Sequence, residues 1–384
     1  MFENVKTWFD INYKQQPIQV RWIMILTVSI FLPVYITVPV AVAIFVMMMR
    51  SDLMPRVINK TQHVRLLAVL GFLLLATPLI YHNYYGFACA LLLCVYLVIQ
   101  IYINYLMTGK LFDMLCSLIC AISLICVFIA FAEKLLVIQD RVMALTYNPN
   151  FYAYMIEIIV LVCFYKFIST EKPIYILIFV ANIAALLFTG CRSAWPAIII
   201  GLLVFSMVMK KKNLMFILLL LGAAFVVAIK FEPTLLPRFD ILDPYIANRL
   251  DIWEKALADF AQHPIFGRGL LGFYQLSHNN PYTPHAHNIL FDLLQCTGLV
   301  GTGIFAFFLG TGIKQMAGAY RMGNEQIKAR VALCSAVLAA TLTHGITDMP
   351  IMGVHTGLLF IFIISLRPIL AYEAVLKKEI ICTK

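Results

Sequence analysis

The sequence predicts an all-α polytopic membrane protein of about 12 transmembrane helices, with one large extracytoplasmic loop that contains an amphipathic helix. Three observations carry this. The 384 residues are 62% hydrophobic and only 12% charged, where a soluble domain carries roughly 25% charged residues. The mean hydropathy is +0.90, which needs a lipid rather than an aqueous surround. Apolar runs of spanning length recur along the whole chain, so residues 1–384 read as a single integral membrane domain.

Taken in order, the runs fall near 65–81, 84–107, 111–132, 151–168, 173–190, 193–209, 213–230, 288–310, 329–346 and 351–371. The first run, Trp22–Met49, is too long for one ordinary span and carries Pro33 and Pro39. It reads either as one kinked helix or as a hairpin of two short ones. Taking the hairpin, with the N-terminus inside, places Lys14, Arg56, Lys110, Lys172, Lys211 and Lys328 in cytoplasmic segments. That alternation obeys the positive-inside rule. It also accounts for the net charge of +10 as membrane topology, so no nucleic-acid partner is expected. No cleavable signal peptide is expected at the mixed-charge N-terminus. Most of the 10 cysteines sit in apolar runs, without a CxxC pair, and read as small hydrophobes.

The same count turns the one long hydrophilic segment, roughly 231–287, outward. Within it, "NRLDIWEKALADFAQHP" reads as a surface helix. Asn248 would cap it, Leu250, Trp253, Leu257 and Phe260 would form its apolar stripe, and His263–Pro264 would end it.

Polar residues on this outer side are the candidate site. Arg192, in "FTGCRSAWPA", occupies a connection of about four residues between two spans. It is either a snorkelling arginine or a fixed cation facing an outer cavity. Arg249 stands at the expected start of the surface helix, where an anion would meet both guanidinium and free backbone N–H groups. His285 and His287, in "PHAHNILFDLLQCTG", open a span. On a helix their side chains would point away from each other. An HxH pair can ligate a metal, but no third or fourth ligand is expected to cluster nearby, and no metal or other cofactor is expected. "THGITDMP" adds His344 and Asp348 at the outer end of a late span, to position a base, hold a helix end or sit in water. "GRGLLG" at 267–272 has the form of a dinucleotide motif without its strand–turn–helix setting. It reads as a glycine turn folding the loop back onto the bundle, with Arg268 as an extra cation.

Together, "TGCRSAW", "NRLDIWEKALADFAQHPIFGRGLLGF" and "HAHNILFDLLQCTGLVG" resemble, in order and spacing, the O-antigen ligase and polymerase superfamily. "NPNFYAY" at 148–154 resembles that family's asparagine motif before a span. The motifs cover roughly 148–305. The resemblance implies transfer of a glycan from an undecaprenyl diphosphate carrier to an acceptor hydroxyl, on the outer face of the bacterial cytoplasmic membrane. The acceptor is lipid A–core in a ligase, which is the preferred reading, and a growing glycan in an O-antigen, capsule or exopolysaccharide polymerase. It further implies that Arg192 and Arg249 bind the diphosphate and that His287, which matches the family's His–Asn pair, serves the acceptor. His285, Asn288, Asn150, Arg268 and Asp348 are supporting candidates. Membrane lipid is the remaining partner. A lipid-linked sugar flippase is the rival of another class; it would show internal repeats and charges near the midplane. A protein glycosyltransferase of the same superfamily would carry a soluble C-terminal domain, which is not expected here.

Overall fold

A computed structural model describes residues 13, 15–232, 242–277 and 284–366, with side chains in the third segment described from 245. Among these residues there is no strand. The helices are α1 (Ile18–Ser29), α2 (Val34–Met49), α3 (Met54–Lys60), α4 (Val64–Ile80), α5 (Tyr84–Leu106), α6 (Gly109–Ala132), α7 (Pro149–Thr170), α8 (Ile174–Thr189), α9 (Ala194–Val208), α10 (Lys212–Phe231), α11 (Leu242–Gln262), α12 (Gly272–Leu276), α13 (Ile289–Met322), α14 (Glu325–His344) and α15 (Val354–Ile364). Six helices among the described residues are long and apolar enough to cross a membrane, or up to seven if the bent pair α2–α3 is one span. Several others, α1, α4, α8, α9 and α15, are apolar but shorter.

The Trp22–Met49 run is two helices. The chain turns at 30–33, where Pro33 caps α2, and α3 leaves α2 at 87°. Helix α7 is the axis of the bundle: every residue from Phe151 to Lys166 is buried, against α6, α8, α9, α14 and α15. The closest helix pair is α9 on α14, and the reason is side-chain size. Ala194, Ala197 and Gly201 face Ala332, Ala336 and Ala340, and a Cβ on Gly201 would come within 3.3 Å of the Ala336 carbonyl. Small residues let two backbones approach where lipid offers no hydrophobic drive. Helix α10, by contrast, buries none of its residues and is apolar on all sides, as a lipid-facing helix is.

Helix α13 runs 34 residues but breaks at Gly298, whose φ of 61° and ψ of −167° leave the helical region. The break frees backbone groups that need partners. The 264–269 turn supplies them. Arg268 N and Gly269 N donate to the carbonyls of Gln295 and Cys296, and Leu299 N and Val300 N donate to those of Pro264 and Ile265. Gly267 and Gly269 both have positive φ, which an L side chain adopts only at a cost. The "GRGLLG" turn is therefore the piece that docks α11 and α12 onto the broken span. Asn83 ties the far side by donating to the Leu270 carbonyl.

Two expectations for α11 are corrected. The helix begins at Leu242, so Asn248 lies in its second turn and does not cap it. Leu250 and Leu257 are exposed; the side facing the bundle carries Arg249, Ile252, Ala256 and Asp259, with Trp253 and Phe260 half-buried. Asp259 is buried as well. The phase is set by charge pairing rather than hydropathy, because Asp259 accepts from Arg268 Nη1 and Gln295 Nε2, each at 2.6 Å.

Candidate active site

Three chain segments meet at one carboxylate. The loop 284–288 enters α13, the connection 345–349 leaves α14, and the first turn of α7 lies beside them. Asn288 locks the first two together. Its Oδ1 caps α13 by accepting from Leu290 N and Phe291 N, and its Nδ2 donates to the Ile346 carbonyl at 2.9 Å. Ile289 N donates to the Gly345 carbonyl at 2.8 Å. His287 takes a left-handed backbone conformation, φ 50°, which is uncommon for a non-glycine residue and concentrates at functional sites.

Asp348 is the centre. Its Oδ1 accepts from His287 Nδ1 at 2.9 Å and from Met349 N at 2.9 Å, with His285 Nε2 at 3.7 Å. Its Oδ2 accepts from Asn150 Nδ2 at 2.8 Å. Burial alone would push this carboxyl up. The His287 hydrogen bond and the imidazoles around it outweigh burial and hold it well below the usual carboxylate range. An ionised Asp348 accepting from Nδ1–H leaves His287 Nε2 as the acceptor nitrogen. That Nε2 is buried and has no hydrogen-bond partner among the described residues.

His285 is fixed differently. Its Nδ1 accepts from His287 N at 3.2 Å, so the proton of the neutral ring lies on Nε2, toward Asp348. Burial first, then the neighbouring His287 and Arg249, push its pKa down to about 3, against the opposing pull of Asp348. The two rings lie 4.1 Å apart, both buried. The expectation that the histidines point apart is thus corrected: they stand in a loop, not on a helix.

His285, His287 and Asp348 bring three metal-ligating side chains within 4.8 Å of one another. The third member comes from 61 residues along the chain, which corrects the expectation that no third ligand clusters nearby. The hydrogen bonds do not suit a cation. Ligation through His285 Nε2 would move its proton to Nδ1, against the donating His287 N–H.

Arg192 lies in the 190–193 turn between α8 and α9. The next residue, Ser193, shares a 2.8 Å hydroxyl–hydroxyl hydrogen bond with Thr347, and this places the turn beside Asp348. The Arg192 guanidinium stacks 4.3 Å above the Tyr245 ring, a cation–π contact. Tyr245 is one helical turn before Arg249, so the two share a face of α11. Burial pulls the Arg249 guanidinium down, and Asp348 opposes this. The charge of Arg249 therefore bears on the histidine–aspartate cluster. Arg249 stands two turns inside α11, not at its start, so the free N–H groups of a helix end do not join it.

The supporting candidates separate. Asn150 bridges Asp348 to Arg141, whose Nη2 donates to Asn150 Oδ1 at 2.5 Å. Asn288 is a cap and a tie between loops. Arg268 is not in the cluster; it pairs with Asp259 and stacks on Tyr81. Sequence reading missed Arg141, Tyr245 and Glu157. Glu157 had a signal, as a lone acid in an apolar span.

Fold and site define a polytopic helical membrane protein with a carboxylate-oriented imidazole near Arg249, and with Arg192 in a turn tied to the same connection through Ser193. Residues 177–306 match the sequence model of the family described as O-antigen ligase, which supports the resemblance to the O-antigen ligase superfamily. Arg192, Arg249, His285 and His287 fall inside the matched region; Asn150 and Asp348 fall outside it. No curated protein matches the chain. The family supports membrane glycan transfer of the ligase or polymerase type.

Proposed function

We propose that this protein transfers a glycan from undecaprenyl diphosphate to an acceptor hydroxyl, at the outer face of the bacterial cytoplasmic membrane, with lipid A–core as the acceptor. The observation that carries this is His287, oriented by Asp348 through Nδ1 and presenting an unpartnered Nε2. A sugar hydroxyl is a poor nucleophile. Nε2 takes its proton as the oxygen attacks the anomeric carbon. The glycosidic C–O bond breaks, and its electron pair leaves on the diphosphate oxygen. Asp348 offsets the imidazolium that forms. A positioned general base contributes typically ~10²–10⁴ in rate. Arg192 and Arg249 meet the charge that develops on the leaving diphosphate, and guanidinium groups suit its paired oxygens. These cations supply the electrostatic stabilisation that a metal gives elsewhere. The outward orientation of the 231–287 loop rests on the charge alternation of the segments that flank it.

The test is transfer by purified protein from undecaprenyl-diphosphate-linked glycan to lipid A–core. His287→Ala abolishes it on this reading. Full transfer by His287→Ala with loss in His285→Ala would move the base to His285. Transfer to a second repeat unit instead of lipid A–core would make the enzyme a polymerase.

A further inference from the structure

The polar contacts that hold His287 continue past Asp348 into the bundle. Helix α7 presents Asn150, Tyr154 and Glu157 along one face, at helical spacings of four and three. Helix α14 presents Thr341 and His344, with Asp348 four residues on. They meet in pairs. Asn150 reaches Asp348, the hydroxyls of Tyr154 and Thr341 lie 2.6 Å apart, and His344 Nδ1 lies 2.5 Å from Glu157 Oε1. The Tyr154 ring stands edge-on to His344 at 5.9 Å. On its other side, His344 Nε2 lies 4.0 Å from Asp348 Oδ2.

Glu157 and His344 are both fully buried. Two charges in such a place lose their hydration, and apolar side chains would pack as well. Glu157 also sits about 10 Å deeper along α7 than Asn150, at 1.5 Å per residue. At that depth its link to His287 runs through His344 and Asp348.

We propose that Glu157 is a positioning residue: it holds His344 as an imidazolium against the inner oxygen of Asp348, which aims that carboxylate at His287 and offsets part of its charge. The inference rests on His287 being the base. In the resting state Glu157, His344, Asp348 and neutral His287 together carry one net negative charge. Once His287 takes the acceptor proton they carry none, so the buried seam balances when the base is charged. The groups facing His344 are Glu157, Tyr154, Asp348 and Cys191 of the 190–193 turn. Those facing Asp348 are His285, His287, His344, Asn150 and Arg249.

The experiment uses the full chain in lipid nanodiscs, with undecaprenyl-diphosphate-linked glycan and lipid A–core. Turnover and donor KM are followed against pH for wild type, Glu157→Gln, Glu157→Asp, His344→Gln and His287→Ala. Without the carboxylate His344 is left neutral, and Asp348 loses its second cation and holds the His287 proton more tightly. Glu157→Gln then lowers kcat about tenfold, leaves donor KM within about twofold, and moves the acid limb up by about one pH unit. Glu157→Asp restores the wild-type limb. His344→Gln shows the same upward shift and carries the test if Glu157→Gln does not fold, as judged by its melting temperature. An acid limb unmoved or moved down overturns the proposal, whatever the turnover. An inactive His287→Ala beside an unmoved limb defeats this inference alone; an active His287→Ala defeats the base assignment itself.

Discussion

Replacing Asp348 by Asn exchanges one carboxylate oxygen for an amide nitrogen and should disable the base without emptying the site. The carboxylate accepts from His287 Nδ1, from Met349 N and from Asn150 Nδ2. An asparagine whose Oδ1 keeps the Met349 bond turns its amide toward Asn150, donor against donor. A buried group left unsatisfied costs about 1–3 kcal/mol. The opposite flip presents N–H to His287 Nδ1 and forces the proton to Nε2, the tautomer that cannot take a proton from the acceptor. In the second arrangement His287 loses its acceptor nitrogen; in the first it keeps its Nδ1–H bond to Oδ1 but loses the anion that offsets the imidazolium, so in both kcat falls, by up to the whole general-base contribution, roughly 10²–10⁴. Donor KM changes less than about threefold, because the arginines remain. Single-turnover release of undecaprenyl diphosphate, with acceptor saturating, reads this directly. Turnover within about threefold of wild type would refute the imidazole–carboxylate reasoning.

Arg192→Lys keeps the charge and loses the planar fork, so donor kcat/KM drops about 10–100-fold by steady-state assay; wild-type values would return Arg192 to a snorkelling role. For His285 the sign follows from its pKa, held at about 3 against an ordinary 6.5. The unfolded chain binds the extra proton between those values, so stability is full above 6.5 and is lost as pH falls below it. From pH 7 to pH 5 that loss is about 2 kcal/mol. His285→Gln removes it, and its melting temperature falls less than that of wild type over the same interval; an equal fall would mean that His285 is not held neutral. Single cysteines placed at exposed positions of 245–277 react with impermeant thiol reagents in intact cells if the loop faces out; labelling only after the membrane is breached would invert the proposed topology.

Local composition made the helices legible. The run expected near 84–107 is α5, Tyr84–Leu106, and the one near 151–168 is α7, Pro149–Thr170. Hydropathy is a property of neighbours in sequence, and a span must satisfy its backbone within itself. The reading failed where distant residues decide. Asn248 and Arg249 looked like a helix start because the capping signal is strong, yet the helix extends to Leu242. Leu250 and Leu257 looked buried by their spacing, yet the Asp259 pairs with Arg268 and Gln295 set the phase.

The amino-acid order by itself determined the class: a helical membrane protein, with Arg192, Arg249 and His287 in motifs that resemble one superfamily. It could offer those residues only as separate points, because side-chain chemistry is local and their distances are not. The tertiary structure alone decided that Asp348 meets His287, and that Glu157, 187 residues from His344, lies in contact with it. Those pairs exist because α7 and α14 pack side by side, and buried charges must find partners across such a seam.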